Sequence, residues 1–186
     1  MNESALAQEV IAFKMNGANV EALPGETLIE VADRLGVSIP RLCYKPGMRP
    51  DGHCRACMVE IKGERVLAPS CCRSPALNME VTTDSPRALH SQRMIVELLA
   101  SDMAERVYKP DDELEIWKQK LGVGQPRFAR SQQPQADLSH PAMAVNLDAC
   151  IQCTRCVRAC REEQVNDVIG YAYRGGRSSI VFDLHD

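Results

Sequence analysis

Eight of the nine cysteines fall into two spaced sets, and a chain that must gather each set has few ways to fold. The first set is Cys43, Cys54, Cys57 and Cys71, in a C-x10-C-x2-C-x13-C pattern. The second is Cys150, Cys153, Cys156 and Cys160, in the compact pattern C-x2-C-x2-C-x3-C. Thiolates are the ligands that hold iron–sulfur clusters, and the compact spacing is that of bacterial [4Fe–4S] sites. Electron transfer is therefore the chemistry to which the cysteines point first.

Composition narrows the partners. Among 186 residues, 22 Lys and Arg against 25 Asp and Glu leave a formal charge of −3 without a basic block, and aromatic residues make up only 4%. Neither a phosphate-tracking surface nor a base-stacking platform is indicated, so no nucleic-acid partner is expected. No apolar run approaches the ~18 residues of a membrane span, and the N-terminal residues lack a signal-peptide pattern. Cysteine richness without an export signal fits a reducing compartment, where thiols bind metal more often than they form disulfides, so a cytoplasmic location is expected.

The order of local signals is mixed α+β. Ile11–Met15 and Val20–Leu23 flank Asn16-Gly17, a hairpin signal because both turn positions require positive φ. Thr27 is placed to cap a helix with Leu28, Val31 and Leu35 on one face and Gly36 as its stop. Cys57–Ile61 and Arg65–Leu67 read as a second hairpin around Lys62-Gly63, and Met79–Thr82 reads as a further strand. From Pro86 the period becomes helical, with a second helical stretch at Glu113–Leu121. A polar Gly/Pro/Gln linker follows, then a short strand at Ala142–Asn146 and a hairpin of Ile169–Tyr173 with Ser179–Phe182. The expected domains are 1–85, 86–141 (helical segment and linker) and 142–186, the first of them folding independently.

In the first set the Cys54/Cys57 pair supplies two thiolates from one tight turn, and Cys43 and Cys71 approach from outside it. The loop Pro46–Cys57 is rich in Gly and Pro, as suits backbone N–H groups turned towards sulfur. Three runs carry a resemblance: Ile39-Pro40-Arg41-Leu42-Cys43-Tyr44, Gly52-His53-Cys54-Arg55-Ala56-Cys57-Met58-Val59-Glu60-Ile61, and Ala68-Pro69-Ser70-Cys71. Together they resemble the N-terminal ferredoxin-like domain of the large iron–sulfur subunit of respiratory complex I. The resemblance implies a β-grasp fold with a [2Fe–2S] cluster on Cys43, Cys54, Cys57 and Cys71. A structural zinc site is the competing reading, although zinc ribbons use two C-x2-C pairs and this set has one. Cys72, adjacent to a ligand, is expected to be a small buried hydrophobe, and His53 an exposed loop residue.

In two-cluster ferredoxins the fourth cysteine of a C-x2-C-x2-C-x3-C run serves the other cluster. By that rule Cys150, Cys153 and Cys156 hold one corner of a cube, while Cys160 faces a neighbour that a second run would complete. Arg161 stands where the pattern has Pro, and no second run follows. The expectation is an incomplete [4Fe–4S] ferredoxin-type domain, cut from a longer subunit, with Cys150, Cys153, Cys156 and Cys160 as its ligands. The stretch Ser139-His140-Pro141 through Val165-Asn166-Asp167-Val168-Ile169-Gly170 resembles the alpha subunit of NAD-dependent, molybdenum-containing formate dehydrogenases. Complex I relatives also carry a His-x3-Cys-x2-Cys-x5-Cys site, but no cysteine lies between Cys72 and Cys150, so His90 is read as an ordinary helix residue.

The resemblance implies an electron-relay portion of a formate dehydrogenase, with flavin/NAD-binding and catalytic parts of an oxidoreductase complex as partners. The iron–sulfur subunit of an NADH:quinone oxidoreductase or of an NAD-reducing hydrogenase diaphorase is the alternative, and a zinc-binding interaction protein a third reading. No phosphate cradle, nucleophile elbow or H-E-x-x-H motif is present, so no catalytic residue is assigned. The acidic pairs Asp111-Asp112 and Glu162-Glu163 are read as solvated helix faces.

Overall fold

The computed structural model describes residues 10–103, 112–131 and 135–182. Asp111, residues 132–134 of the polar linker, and residues 1–9 lie outside these. The described residues belong to two compact units: one drawn from Met1–Pro40 and Arg55–Gln92, the other from Arg41–Cys54 and Arg93–Asp186.

The first unit is built on a mixed sheet. β1 (Ile11–Met15) and β2 (Ala18–Ala22) form an antiparallel hairpin with Met15 opposite Ala18. Its turn is Asn16-Gly17, at φ 51° and 83°, as the dipeptide requires. Helix α1 (Leu28–Arg34) follows, then β3 (Met58–Ile61), β4 (Ala68–Pro69) and β5 (Glu80–Thr82). The strand order is β2-β1-β5-β3-β4, with β1 and β5 parallel and the other neighbours antiparallel. Alternation in β1 buries Phe13 and Met15, which join Val59, Val81 and the α1 residues Leu28, Ile29, Val31 and Ala32 in the core. Each large apolar side chain removed from water in this way contributes about 1.5–3 kcal/mol.

Helix α1 starts where Glu30 turns back, its carboxylate accepting from the Thr27 N–H (2.7 Å) and the Thr27 hydroxyl (2.8 Å). Gly36, at φ +71°, stops it. Leu35, expected on the buried face, is exposed because it is the C-terminal cap, and Ile29 and Ala32 take the buried positions instead. The turn at Lys62-Gly63 forms, but the strand expected at Arg65–Leu67 lies at Ala68–Pro69, paired back onto Met58 and Val59.

Helix α2 (Pro86–Ser101) begins at Ser85, whose Oγ accepts from the Ala88 N–H at 3.1 Å. Gln92, 1% exposed, donates from Nε2 to the carbonyls of Met58 (2.9 Å) and Thr83 (3.1 Å), tying the helix to the sheet.

The second unit contains the loop 41–54 and several short elements. Helix α3 (Glu113–Lys120) is capped by Asp112, which accepts from the Glu115 N–H at 2.9 Å. β6 (Asp137–His140) pairs with β7 (Met143–Val145), so the stretch expected to be plain linker contributes a strand. Helix α4 (Arg155–Arg158) runs directly into a π-helical turn at Ala159–Glu163. β8 (Ile169–Ala172) and β9 (Ser179–Phe182) form the last hairpin. Among the described residues no helix is long and apolar enough to cross a membrane.

Candidate iron–sulfur sites

None of the nine cysteines is joined in a disulfide. Of the first set, Cys57 and Cys71 belong to the sheet-bearing unit. Ser70, fully buried, joins them: its N–H (3.0 Å) and its hydroxyl (2.9 Å) both donate to the Cys57 carbonyl. The first turn of α1 holds the same segment, with Leu28 N–H donating to Arg73 O (2.8 Å) and Ile29 N–H to Ser70 O (3.1 Å). These are donors left over at a helix N-terminus, so the helix is satisfied by fixing the Cys71 strand end.

Cys43 and Cys54 belong to the other unit and face each other. The Cys43 N–H donates to Cys54 Sγ and the Cys54 N–H to Cys43 Sγ, each at 3.4 Å. Sulfurs that accept backbone N–H groups are tuned to carry negative charge, which is what a cluster asks of its thiolates. The loop between them turns through Gly47 (φ +86°) and Gly52 (φ +61°). Cys43, Cys57 and Cys71 are buried and Cys54 half-buried. Cys72, in the turn that follows β4, is exposed rather than buried, and its Sγ lies 3.5 Å from that of the buried Cys71. His53 is exposed, its ring edge-on to Tyr171 at 6.0 Å. His90 lies exposed on α2.

The second set wraps a loop with two left-handed residues, Gln152 (φ 54°) and Thr154 (φ 61°). The Gln152 N–H donates to Cys150 Sγ at 3.4 Å. The Gln152 side chain pins this loop to the last hairpin, donating to Ser178 O (2.7 Å) and accepting from the Tyr171 hydroxyl (2.7 Å). Burial pushes the Cys150 thiol above its ordinary value, so iron must displace a proton there. Cys160 is buried, and its Sγ donates to Asn166 Oδ1 at 2.8 Å. Among the described residues no three or more His, Cys, Asp or Glu side chains stand as a preformed metal cage.

Reading the sequence missed two residues, Arg155 and Arg158, inside the second cysteine set. Arg155 pairs with Glu113 and donates to Tyr44 O at 2.9 Å. Arg158, 5% exposed, donates from Nη1 to Arg49 O (2.6 Å) and from Nη2 to Cys43 O. Arg49 in turn pairs with Glu162 at 2.7 Å, so one of the two acidic residues at 162–163 is engaged rather than merely solvated. No local signal marks these arginines, because the carbonyls they reach lie over a hundred residues away in the chain.

The donor set suits iron–sulfur chemistry: uncrosslinked thiols, cradled by backbone N–H groups. Residues 8–86 match the family model of the 2Fe-2S iron–sulfur cluster binding domain. That span holds all four cysteines of the first set. The chain is 31% identical over 160 residues to an NADH-quinone oxidoreductase subunit of Rhizobium meliloti (strain 1021), covering 82% of this chain and 19% of that protein. It is 29% identical to the NADP-reducing hydrogenase subunit HndD of Solidesulfovibrio fructosivorans, covering 89% and 30% respectively. It is 28% identical to the mitochondrial NADH dehydrogenase [ubiquinone] iron-sulfur protein 1 of Solanum tuberosum, covering 93% and 24%. The chain thus spans at most about a third of the length of these relatives. The structure is similar to an NAD+-reducing [NiFe]-hydrogenase in the H2-reduced state, with a TM-score of 0.84 and 26% identity over 92% of this chain and 74% of that one. The fold is therefore the mixed α+β, ferredoxin-like arrangement expected from the sequence.

Proposed function

We propose that this chain relays electrons through iron–sulfur clusters within a multi-subunit, NAD-linked oxidoreductase. Cys43, Cys54, Cys57 and Cys71 would hold a [2Fe–2S] cluster, and Cys150, Cys153 and Cys156, with Cys160 beside them, a [4Fe–4S] cluster. The observation that carries the reading is the reciprocal N–H···S pair between Cys43 and Cys54, inside a span that matches a [2Fe–2S] domain. A bound cluster supplies one-electron redox chemistry. The chain's own residues hold the thiolates, aim amide dipoles at sulfur and keep most of the first set away from water. Partners would be flavin/NAD-binding and catalytic subunits. The resemblance over 139–170 makes formate the proposed terminal substrate, while the names of the relatives favour the quinone- and hydrogenase-linked reading.

Iron and acid-labile sulfide analysis of the reconstituted chain separates this function from a zinc site: zinc without sulfide would end the electron-transfer reading. Replacing Cys54 or Cys57 by Ser is expected to abolish the rhombic paramagnetic signal of the reduced [2Fe–2S] site, while Cys72→Ser leaves it intact. Loss of signal in Cys72→Ser, with Cys71→Ser unaffected, would reverse the ligand assignment. Purification with its native partners, followed by formate-, hydrogen- and NADH-dependent assays, identifies the terminal substrate.

A further inference from the structure

The loop 41–54 carries two of the four cysteines of the first set, yet what grips it comes from the second set. Arg158 lies between Cys156 and Cys160, and its guanidinium reaches the carbonyls of Cys43 and Arg49. Arg155, one residue before Cys156, reaches the carbonyl of Tyr44 at 2.9 Å. The Thr154 hydroxyl lies 3.0 Å from Asp51 Oδ2, a fourth tie to the same loop. Two arginines on one short helix thus hold the carbonyls of Cys43, Tyr44 and Arg49.

The charge on Arg158 is also weakly balanced. Its side chain is 5% exposed, its Nε is buried without a hydrogen-bond partner, and the nearest ion-pairing carboxylate oxygen is Asp51 Oδ2, at 4.0 Å. A charge in such surroundings acts over a longer range than one in water. Here it is applied through the carbonyl of Cys43 itself.

We infer that Arg158 is a positioning and charge-balancing residue for the first cysteine site: it fastens the Cys43–Cys54 loop to the helix of the second set and favours acceptance of an electron by the [2Fe–2S] site. The inference rests on the function proposed above. The step it concerns is transfer of a single electron from a low-potential donor, with no bond made or broken. Reduction adds one negative charge at the thiolate-ligated site, and the buried guanidinium offsets it. Asp51 opposes that effect, so the two side chains set the local field between them.

The test is a redox titration of the full, reconstituted chain, following the [2Fe–2S] signal at a temperature where cube signals have relaxed away. Arg158→Gln removes the charge and the fork, and is expected to lower the equilibrium constant for reduction about tenfold, or about 59 mV for a one-electron couple. Asp51→Asn is expected to shift the constant the opposite way. Arg158→Lys keeps the charge without the fork. It is expected to retain most of the potential while broadening the signal and releasing iron faster. Arg161→Gln, a change at an exposed side chain paired with Asp167, is expected to leave the potential in place. Should Arg158→Gln fail to fold, Asp51→Asn still decides, because an unchanged or lowered constant overturns the inference. Shifts of the same sign in Arg158→Gln and Asp51→Asn, or none in either, also overturn it. A wild-type chain that binds zinc and takes up no [2Fe–2S] cluster overturns the functional reading as well.

Discussion

Single side chains decide much of how this chain treats charge. Glu97 of α2 accepts from Arg127 three times, from Nε (2.6 Å), Nη2 (2.7 Å) and the backbone N–H (3.0 Å). This grip holds the Glu97 carboxyl at about 2, against an ordinary value of 4.5. Because the folded value is depressed, the pair contributes its stabilisation above pH 4.5 and loses it as the pH falls towards 2. Thermal unfolding followed over that window is expected to show a steeper fall in Tm for the native chain than for Glu97→Gln. Parallel acid profiles for the two proteins would show that the pair does not govern acid stability. The cysteines teach a related lesson. Cys71 and Cys72 are neighbours in the chain, yet only Cys71 is buried, a difference that composition cannot show.

Among the elements, those governed by neighbours in the chain are legible and those governed by distant partners are not. The Asn16-Gly17 hairpin and the Thr27–Glu30 start of α1 are local, and the structure has them where the sequence puts them. β4 falls outside its expected place because only its pairing with Met58 and Val59 makes it a strand. β6 offers no alternation to read, since all four of its residues are exposed. The four-cysteine patterns are plain, but the arginine grip on the loop 41–54 is not, since it depends on the tertiary fold. Gln92 belongs to the hidden class too, a polar residue with no sequence mark that ties α2 to the sheet. Gln92→Leu is expected to cost about 1–3 kcal/mol, because it strips a donor from two carbonyls while keeping the volume. A denaturant midpoint unchanged from the native chain would show those bonds to be dispensable.

For the whole molecule, the second cysteine set is expected to be the less self-sufficient. The thiol of Cys160 is engaged with Asn166, and two-cluster ferredoxins allot the fourth cysteine of such a run to a neighbouring cube. Reconstitution is expected to give a stable [2Fe–2S] centre and a labile or three-iron second centre, measured as iron retained after gel filtration. Adding a second cysteine run is expected to restore a stable cube. A stoichiometric, air-stable [4Fe–4S] centre that is lost in Cys160→Ser would make Cys160 the fourth ligand instead.

The grip of Arg158 on Cys43 also has a consequence in time. The two residues are 115 positions apart, so a ribosome adding about 5–20 residues per second delivers the arginine roughly 6–23 s after the cysteine. The β1–β2 hairpin and α1 are made before the loop and β3 to β5 follow within that interval, while the loop between Cys43 and Cys54 still lacks its clamp. Iron delivered before Arg158 is made would meet a loose loop, whereas iron delivered afterwards would meet a fastened one. Maturation of the first site is therefore expected to follow synthesis of the second cysteine set, although its own cysteines are made earlier.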